Sequence, residues 1–118
     1  MFFKDDHLYF EWHESEIPWV KIFTREPFRE ISDCSESALN ALWHSAIAVE
    51  IAMREFYAPK KINIASFGNQ LERVHIHIQA RFEDDSFYPE SMWGVKRREG
   101  AIRDLKRKEF ERFLIARL

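Results

Sequence analysis

Two histidines, His75 and His77, stand one residue apart in the stretch RVHIHIQARF, residues 73 to 82. Side chains alternate along a strand, so Arg73, His75, His77, Gln79 and Arg81 share one face, and Val74, Ile76, Ile78, Ala80 and Phe82 share the other. The second set is a core face. The first is a row of nitrogen donors with no acidic group, and its two imidazoles can act as donor or acceptor near neutral pH. A solvated strand face ordinarily carries Lys, Glu and Thr, whereas this set suits a phosphate group.

A metal centre is the competing chemistry, because His-x-His on a strand can present two imidazoles to one cation. Further ligands would have to come from His7, His13, His44, Glu83 or Asp84, which lie on separate segments with no spacing that ties them to the pair. Arg73 and Arg81 would also repel a cation. Phosphate chemistry is therefore the reading, with no metal ligands and no cofactor expected.

The elements that must position this row can be read from pattern. Residues 7 to 12 (HLYFEW) and 17 to 24 (IPWVKIFT) are rich in aromatic and β-branched residues and predict a hairpin across the polar bend HESE. Ser35 is the N-cap candidate for a helix over residues 36 to 57. In that segment Leu39, Leu42, Trp43, Ala46, Ile47, Val49, Ala52, Met53 and Phe56 recur at helical spacing, and Pro59 follows. KINIASF (61 to 67) and ERVHIHIQARF (72 to 82) predict a second hairpin around Gly68-Asn69. The segment from 83 to 94 is irregular and acidic, and residues 101 to 118 predict an amphipathic helix. This order, without regular strand-helix-strand alternation, predicts an antiparallel α+β domain spanning residues 1 to 118.

Composition narrows the partners. The chain has 118 residues, 46% of them hydrophobic, enough for one core and little more. With 18 Lys+Arg against 20 Asp+Glu, the formal charge of −2 does not draw the molecule towards nucleic acid or an anionic membrane. The single cysteine, Cys34, excludes an intrachain disulfide, and MFFKDDHLYF lacks the basic start and apolar run of a signal peptide. A reducing cytoplasm is the expected address. The run KRREGAIRDLKRK (96 to 108) alternates basic with acidic residues and reads as a solvated helix face. Trp19 and Trp43 lie within apolar-patterned elements and read as core or dimer packing.

The stretch GNQLERVHIHIQAR resembles the histidine triad (HIT) family, whose signature is His-φ-His-φ-His-φ-φ, with φ apolar, after a glycine-containing hairpin loop. EIPWVKIFTREPFREI is similar to that family's early hairpin, the 36 to 57 helix falls in the corresponding place, and RFEDDSFYPESMWG resembles the tail of a bacterial branch close to diadenosine polyphosphate hydrolases. The resemblance implies a sheet of about five antiparallel strands with one long central helix and a C-terminal helix. It also implies a homodimer and nucleotidyl transfer at the α-phosphate of dinucleoside polyphosphates or nucleotide phosphoramidates.

Two registers are open. With Arg73, His75 and His77 in the three triad positions, the separation from Gly68 and the φ-φ-Pro/Ala-Arg ending are kept, and the resemblance makes His75 the nucleophile and His77 a donor to a phosphate oxygen. With His75-Ile-His77-Ile-Gln79 set against the His-Pro-His-Gly-Gln of the related hexose-1-phosphate uridylyltransferases, His77 becomes the nucleophile, but the Pro, the Gly and the upstream spacing are lost. The resemblance further makes Asn63, Ser66, Gly68 and Asn69 candidates for holding phosphate or leaving group, and places His13 where relatives have an Asn facing the nucleotide. Gln79 occupies a position where an apolar residue is expected. Arg73 cannot protonate a leaving group as a histidine would, since a guanidinium keeps its proton at any physiological pH. It can neutralise phosphate charge, so good leaving groups would suffer least.

Overall fold

The computed structural model describes residues 1–118. Five strands form one antiparallel sheet: β1 (Phe3–Lys4), β2 (Leu8–Trp12), β3 (Trp19–Thr24), β4 (Lys61–Ala65) and β5 (His75–Arg81), in the order β1-β2-β3-β5-β4. The histidine strand β5 thus lies inside the sheet, between β3 and the edge strand β4. The helix α1 (Glu36–Tyr57) packs on one face, together with α2 (Arg107–Ile115). This is the α+β architecture expected above, with one further short strand, β1, that pattern alone does not mark.

Alternation along β5 divides the two faces as predicted. Ile76, Ile78 and Ala80 join Leu8, Phe10, Val20, Ile22 and Ile62 beneath the apolar stripe of α1, formed by Leu42, Ala46, Val49, Ala52 and Met53. Phe110 and Leu114 of α2 complete the same cluster. Burying that much apolar surface is the main term holding α1 to the sheet. The helix starts where Ser35 Oγ accepts from the Ala38 N–H at 3.2 Å. It ends at Ala58, which is left-handed at φ 47, just before Pro59. A second apolar row on α1, Trp43, Ile47 and Ile51, stays exposed. Trp43 is therefore not core. No helix is long and apolar enough to cross a membrane.

Two boundaries differ from expectation. The β4–β5 connection runs from Ser66 through Val74, so it is longer than a two-residue turn. Gly68 takes φ +80 within it, and Val74 N–H donates to the Phe28 carbonyl rather than to β4. The C-terminal helix begins at Arg107, not at residue 101. Before it, the N–H groups of Arg97 and Arg98 donate to the Ser86 carbonyl, and those of Ala101 and Gly100 to the Asp84 carbonyl and Ser86 Oγ. Lys106, just before the first helical residue, is left-handed at φ 48, so the α-helix does not extend back through it. A side chain at Gly100 would also collide with Ser86, whose amide nitrogen lies 2.8 Å from the Cβ position. The run 96 to 106 is thus an extended strap, and Ile102 within it is fully exposed.

Candidate functional site

The two histidine rings sit side by side on the face of β5 away from α1, with centroids 4.9 Å apart, and both residues are buried. Their hydrogen bonding is opposed. His75 Nδ1 lies 2.9 Å from the Arg73 carbonyl oxygen. A carbonyl only accepts, so Nδ1 carries the proton and Nε2 keeps its lone pair. His77 Nδ1 lies 2.9 Å from the indole nitrogen of Trp19. An indole N–H only donates, so this Nδ1 is bare and neutral His77 carries its proton on Nε2. One ring therefore offers a lone pair and its neighbour offers an N–H. Burial, followed by the nearby charges of His75, His13 and Lys21, pushes the pKa of His77 from 6.5 down to about 4, so the donor form is the neutral one at physiological pH.

Each ring is also held from the side. The strand register pairs Phe23 with His75 and Lys21 with His77. Phe23 stacks on His75 at 4.9 Å and 18°. Ser66 Oγ donates to the His75 carbonyl at 2.9 Å, tying the loop after β4 to β5. His13 stacks on Trp19 at 3.9 Å, behind the indole that fixes His77. Burial and the charge of Lys21 lower the pKa of His13.

A cavity of about 480 Å³ opens over the pair, lined by His13, Lys21, Phe23, His75, His77, Trp93 and the loop from Phe67 to Leu71. Gly68 and Asn69, named from the sequence as candidate binding residues, are among the residues that line it. The Trp93 ring lies 5.1 Å from His77 and 4.8 Å from Phe67, so the far wall is aromatic. A larger groove of about 580 Å³ lies along the strap between Glu99 and Arg107 and includes neither histidine. No three His, Cys, Asp or Glu side chains gather in an arrangement that could hold a metal ion.

The arginines that bracket the row do not line the cavity. Arg73 turns its guanidinium to the carbonyls of Thr24 and Arg25 at the end of β3, near the Tyr9 and Phe23 rings. Its backbone carbonyl, rather than its charge, reaches the site. Arg81 is buried in a two-point ion pair with Asp85, Nε to Oδ2 at 2.9 Å and Nη2 to Oδ1 at 3.1 Å. It also donates to Asn63 Oδ1 at 2.8 Å and to the Glu90 carbonyl at 2.7 Å. Burial pushes the Asp85 carboxyl up, but Arg81 and the N–H groups of Phe82, Phe87 and Tyr88 hold it below the usual carboxylate range. This cluster folds the 82 to 90 loop and so delivers Trp93 to the cavity.

Three other expectations shift. Asn63 faces the same side as the histidines but is bound by Arg81 and lies outside the cavity. Ser66 acts on the strand backbone and does not line the cavity. Gln79 is buried beside Trp19 and Asn63, with neither amide atom partnered. The cation that does line the cavity is Lys21, its side chain 21% exposed and 3.5 Å from Glu11. Alternation in IPWVKIFT already put Lys21 on one face with Trp19 and Phe23. Only the pairing of β3 with β5 sets that face beside the histidines. Trp19, read as packing, is the tautomer-fixing donor.

No protein-family model and no curated protein matches the chain. Among solved structures, a histidine triad protein from Bradyrhizobium japonicum is 26% identical, covering 97% of this chain and 86% of its own, with a TM-score of 0.79. A histidine triad (HIT) protein from Sinorhizobium meliloti is 20% identical over 99% of this chain and 87% of its own, with a TM-score of 0.80. A histidine triad protein from Marinobacter aquaeolei is 20% identical over 98% and 88%, with a TM-score of 0.79. The chain thus has the histidine-triad fold, in which His75 and His77 stand on the inner strand of the sheet beneath an aromatic-walled cavity.

Proposed function

We propose that the protein transfers nucleotide monophosphate groups through a nucleotidyl-histidine intermediate, with His75 as nucleophile. The observation that carries this reading is the opposed hydrogen bonding of the two rings. In the other register His77 would attack, but its indole-bound Nδ1 leaves the proton on Nε2, which then has no lone pair to offer. In the first step the His75 Nε2 lone pair forms a bond to the α-phosphorus while the bond to the leaving phosphate breaks, and the departing oxygen takes the electron pair. His77 Nε2–H donates to a non-bridging oxygen as its charge grows, and Lys21 adds a positive charge nearby. Water then attacks phosphorus, the P–N bond breaks, and the electron pair returns to Nε2 as the water proton passes to product phosphate or solvent. Dinucleoside polyphosphates and nucleotide phosphoramidates are the substrate classes that fit. The former fit better, because a polyphosphate leaves without help from a proton donor.

A second reading is a nucleotide-binding module with weak catalysis. It is favoured by the Arg73 guanidinium, which is held by two carbonyls at the end of β3 and can neither protonate a leaving group nor reach the cavity as it stands. Incubation with α-labelled diadenosine polyphosphate separates the two. Turnover, a protein mass increase of one nucleotide monophosphate on rapid quench, and loss of both in His75→Ala are expected. Turnover that survives His75→Ala and disappears only in His77→Ala refutes the assignment. Intact AMP binding without any turnover supports the module.

A homodimer is part of the same proposal. Trp43, Ile47 and Ile51 form an exposed row on α1, and Ile64 is exposed on the α1 side of the edge strand β4. A second copy fits this surface, because it would pair the free edge of β4 while covering the row.

A further inference from the structure

Gln79 is 1% exposed, and neither its Oε1 nor its Nε2 has a hydrogen-bond partner. It forms part of the lining of a second, open cavity of about 390 Å³, bordered by edge strand β4, Phe67, Ser91 and Trp93. Three other side-chain groups around that cavity are engaged: Asn63 Oδ1 by Arg81, Ser91 Oγ by the Trp93 N–H, and Lys61 Nζ by the Ile62 carbonyl. Among the buried side-chain atoms around it, only those of the Gln79 amide lack a partner, and they place a donor and an acceptor side by side. Phe67 and Trp93 line both this cavity and the one over the histidines, so an edge-on aromatic pair with centroids 4.8 Å apart is their shared wall. A buried amide left unpaired carries its full desolvation penalty. Flat aromatic walls around one donor–acceptor edge match a planar nitrogen heterocycle, the class of ligand that Gln recognises with two hydrogen bonds.

We propose that the Gln79 cavity is a second subsite, which takes the base of the departing nucleotide while the α-phosphate lies over His75 and His77. This rests on the nucleotidyl-transfer reading, and it makes a two-base substrate the preferred one. The test compares diadenosine tetraphosphate with adenosine 5′-phosphorofluoridate, whose leaving group carries no base. It uses the full-length wild type, Gln79→Leu and Gln79→Met, each first checked for cooperative unfolding. The ratio of kcat/KM for the dinucleotide to that for the fluoridate is expected to fall about tenfold or more in both variants. An unchanged ratio overturns the subsite and leaves the nucleotidyl transfer standing. If wild type turns over neither substrate, the transfer reading fails and the subsite is decided by binding. In that case adenosine is titrated into ¹⁵N-labelled wild type, with the Gln79 side-chain amide assigned by its absence in the variants. A saturable shift of that amide supports the subsite, and an amide that does not move overturns it.

Discussion

The neutral state of His77 makes a quantitative prediction about stability. A histidine that titrates at 6.5 in the unfolded chain and at about 4 in the folded one binds its proton more readily when unfolded. Between those two values the unfolded state holds more protons, so stability falls as pH drops through this window and is flat above it. From pH 7 to pH 4.5 the loss from this one residue is about 2 kcal/mol. His77→Gln removes the titration, and the Gln carbonyl can still accept from the Trp19 indole. Urea unfolding of wild type and His77→Gln at both pH values separates the effect from that of the carboxylates, which contribute equally to both proteins. The wild-type curve should lose about 2 kcal/mol more than the variant. In Trp19→Phe the indole donor is gone, and the His77 midpoint, followed by NMR, should move up towards 6.5. Equal losses in wild type and His77→Gln, or a wild-type midpoint near 6.5, would refute the assignment of a buried, indole-bound, neutral His77.

Three further outcomes follow from the geometry. Lys21→Met should lower kcat/KM for a dinucleoside polyphosphate by about 10- to 100-fold, the worth of a charged hydrogen bond to an anion, while thermal unfolding changes little. Arg81→Leu should destabilise the protein by about 3–5 kcal/mol in urea unfolding, since it leaves the buried Asp85 carboxylate without its partner. Release of the 82 to 90 loop should then appear as faster hydrogen exchange at Phe87 and Tyr88. Ile47→Glu places a charge in the exposed row of α1 and should turn the proposed dimer into a monomer in light scattering. An unchanged mass would argue against that surface.

Much of the local structure is written in short-range pattern. Ser35 and Pro59 bracket a helix whose inward stripe needs only a period of 3.6, and the alternation in VHIHIQARF separates core from site with a period of 2. The histidines could be singled out because their face lacks any acidic partner. Local pattern is weaker where a residue has two possible uses. Residues 101 to 106 carry a helical spacing, yet Asp84 and Ser86 tether the strap's backbone only up to Ala101, and the left-handed Lys106 separates the rest of it from the helix. Arg73 and Arg81 belong to the histidine face by count, but one guanidinium satisfies carbonyls at a strand end and the other satisfies a buried carboxylate four residues on.

The sequence by itself determined the strand that carries the two histidines, the division of its two faces, and the two rings available on one of them. The tertiary structure decided which nitrogen of each ring bears a proton, because that depends on the Arg73 carbonyl and on an indole 58 residues distant in the chain. It also decided that Lys21, rather than either arginine, lines the cavity. A side chain's type sets what it can donate or accept, whereas its direction is set by which groups it meets, and two of the deciding ones, the Trp19 indole and the Thr24 carbonyl, come from another strand.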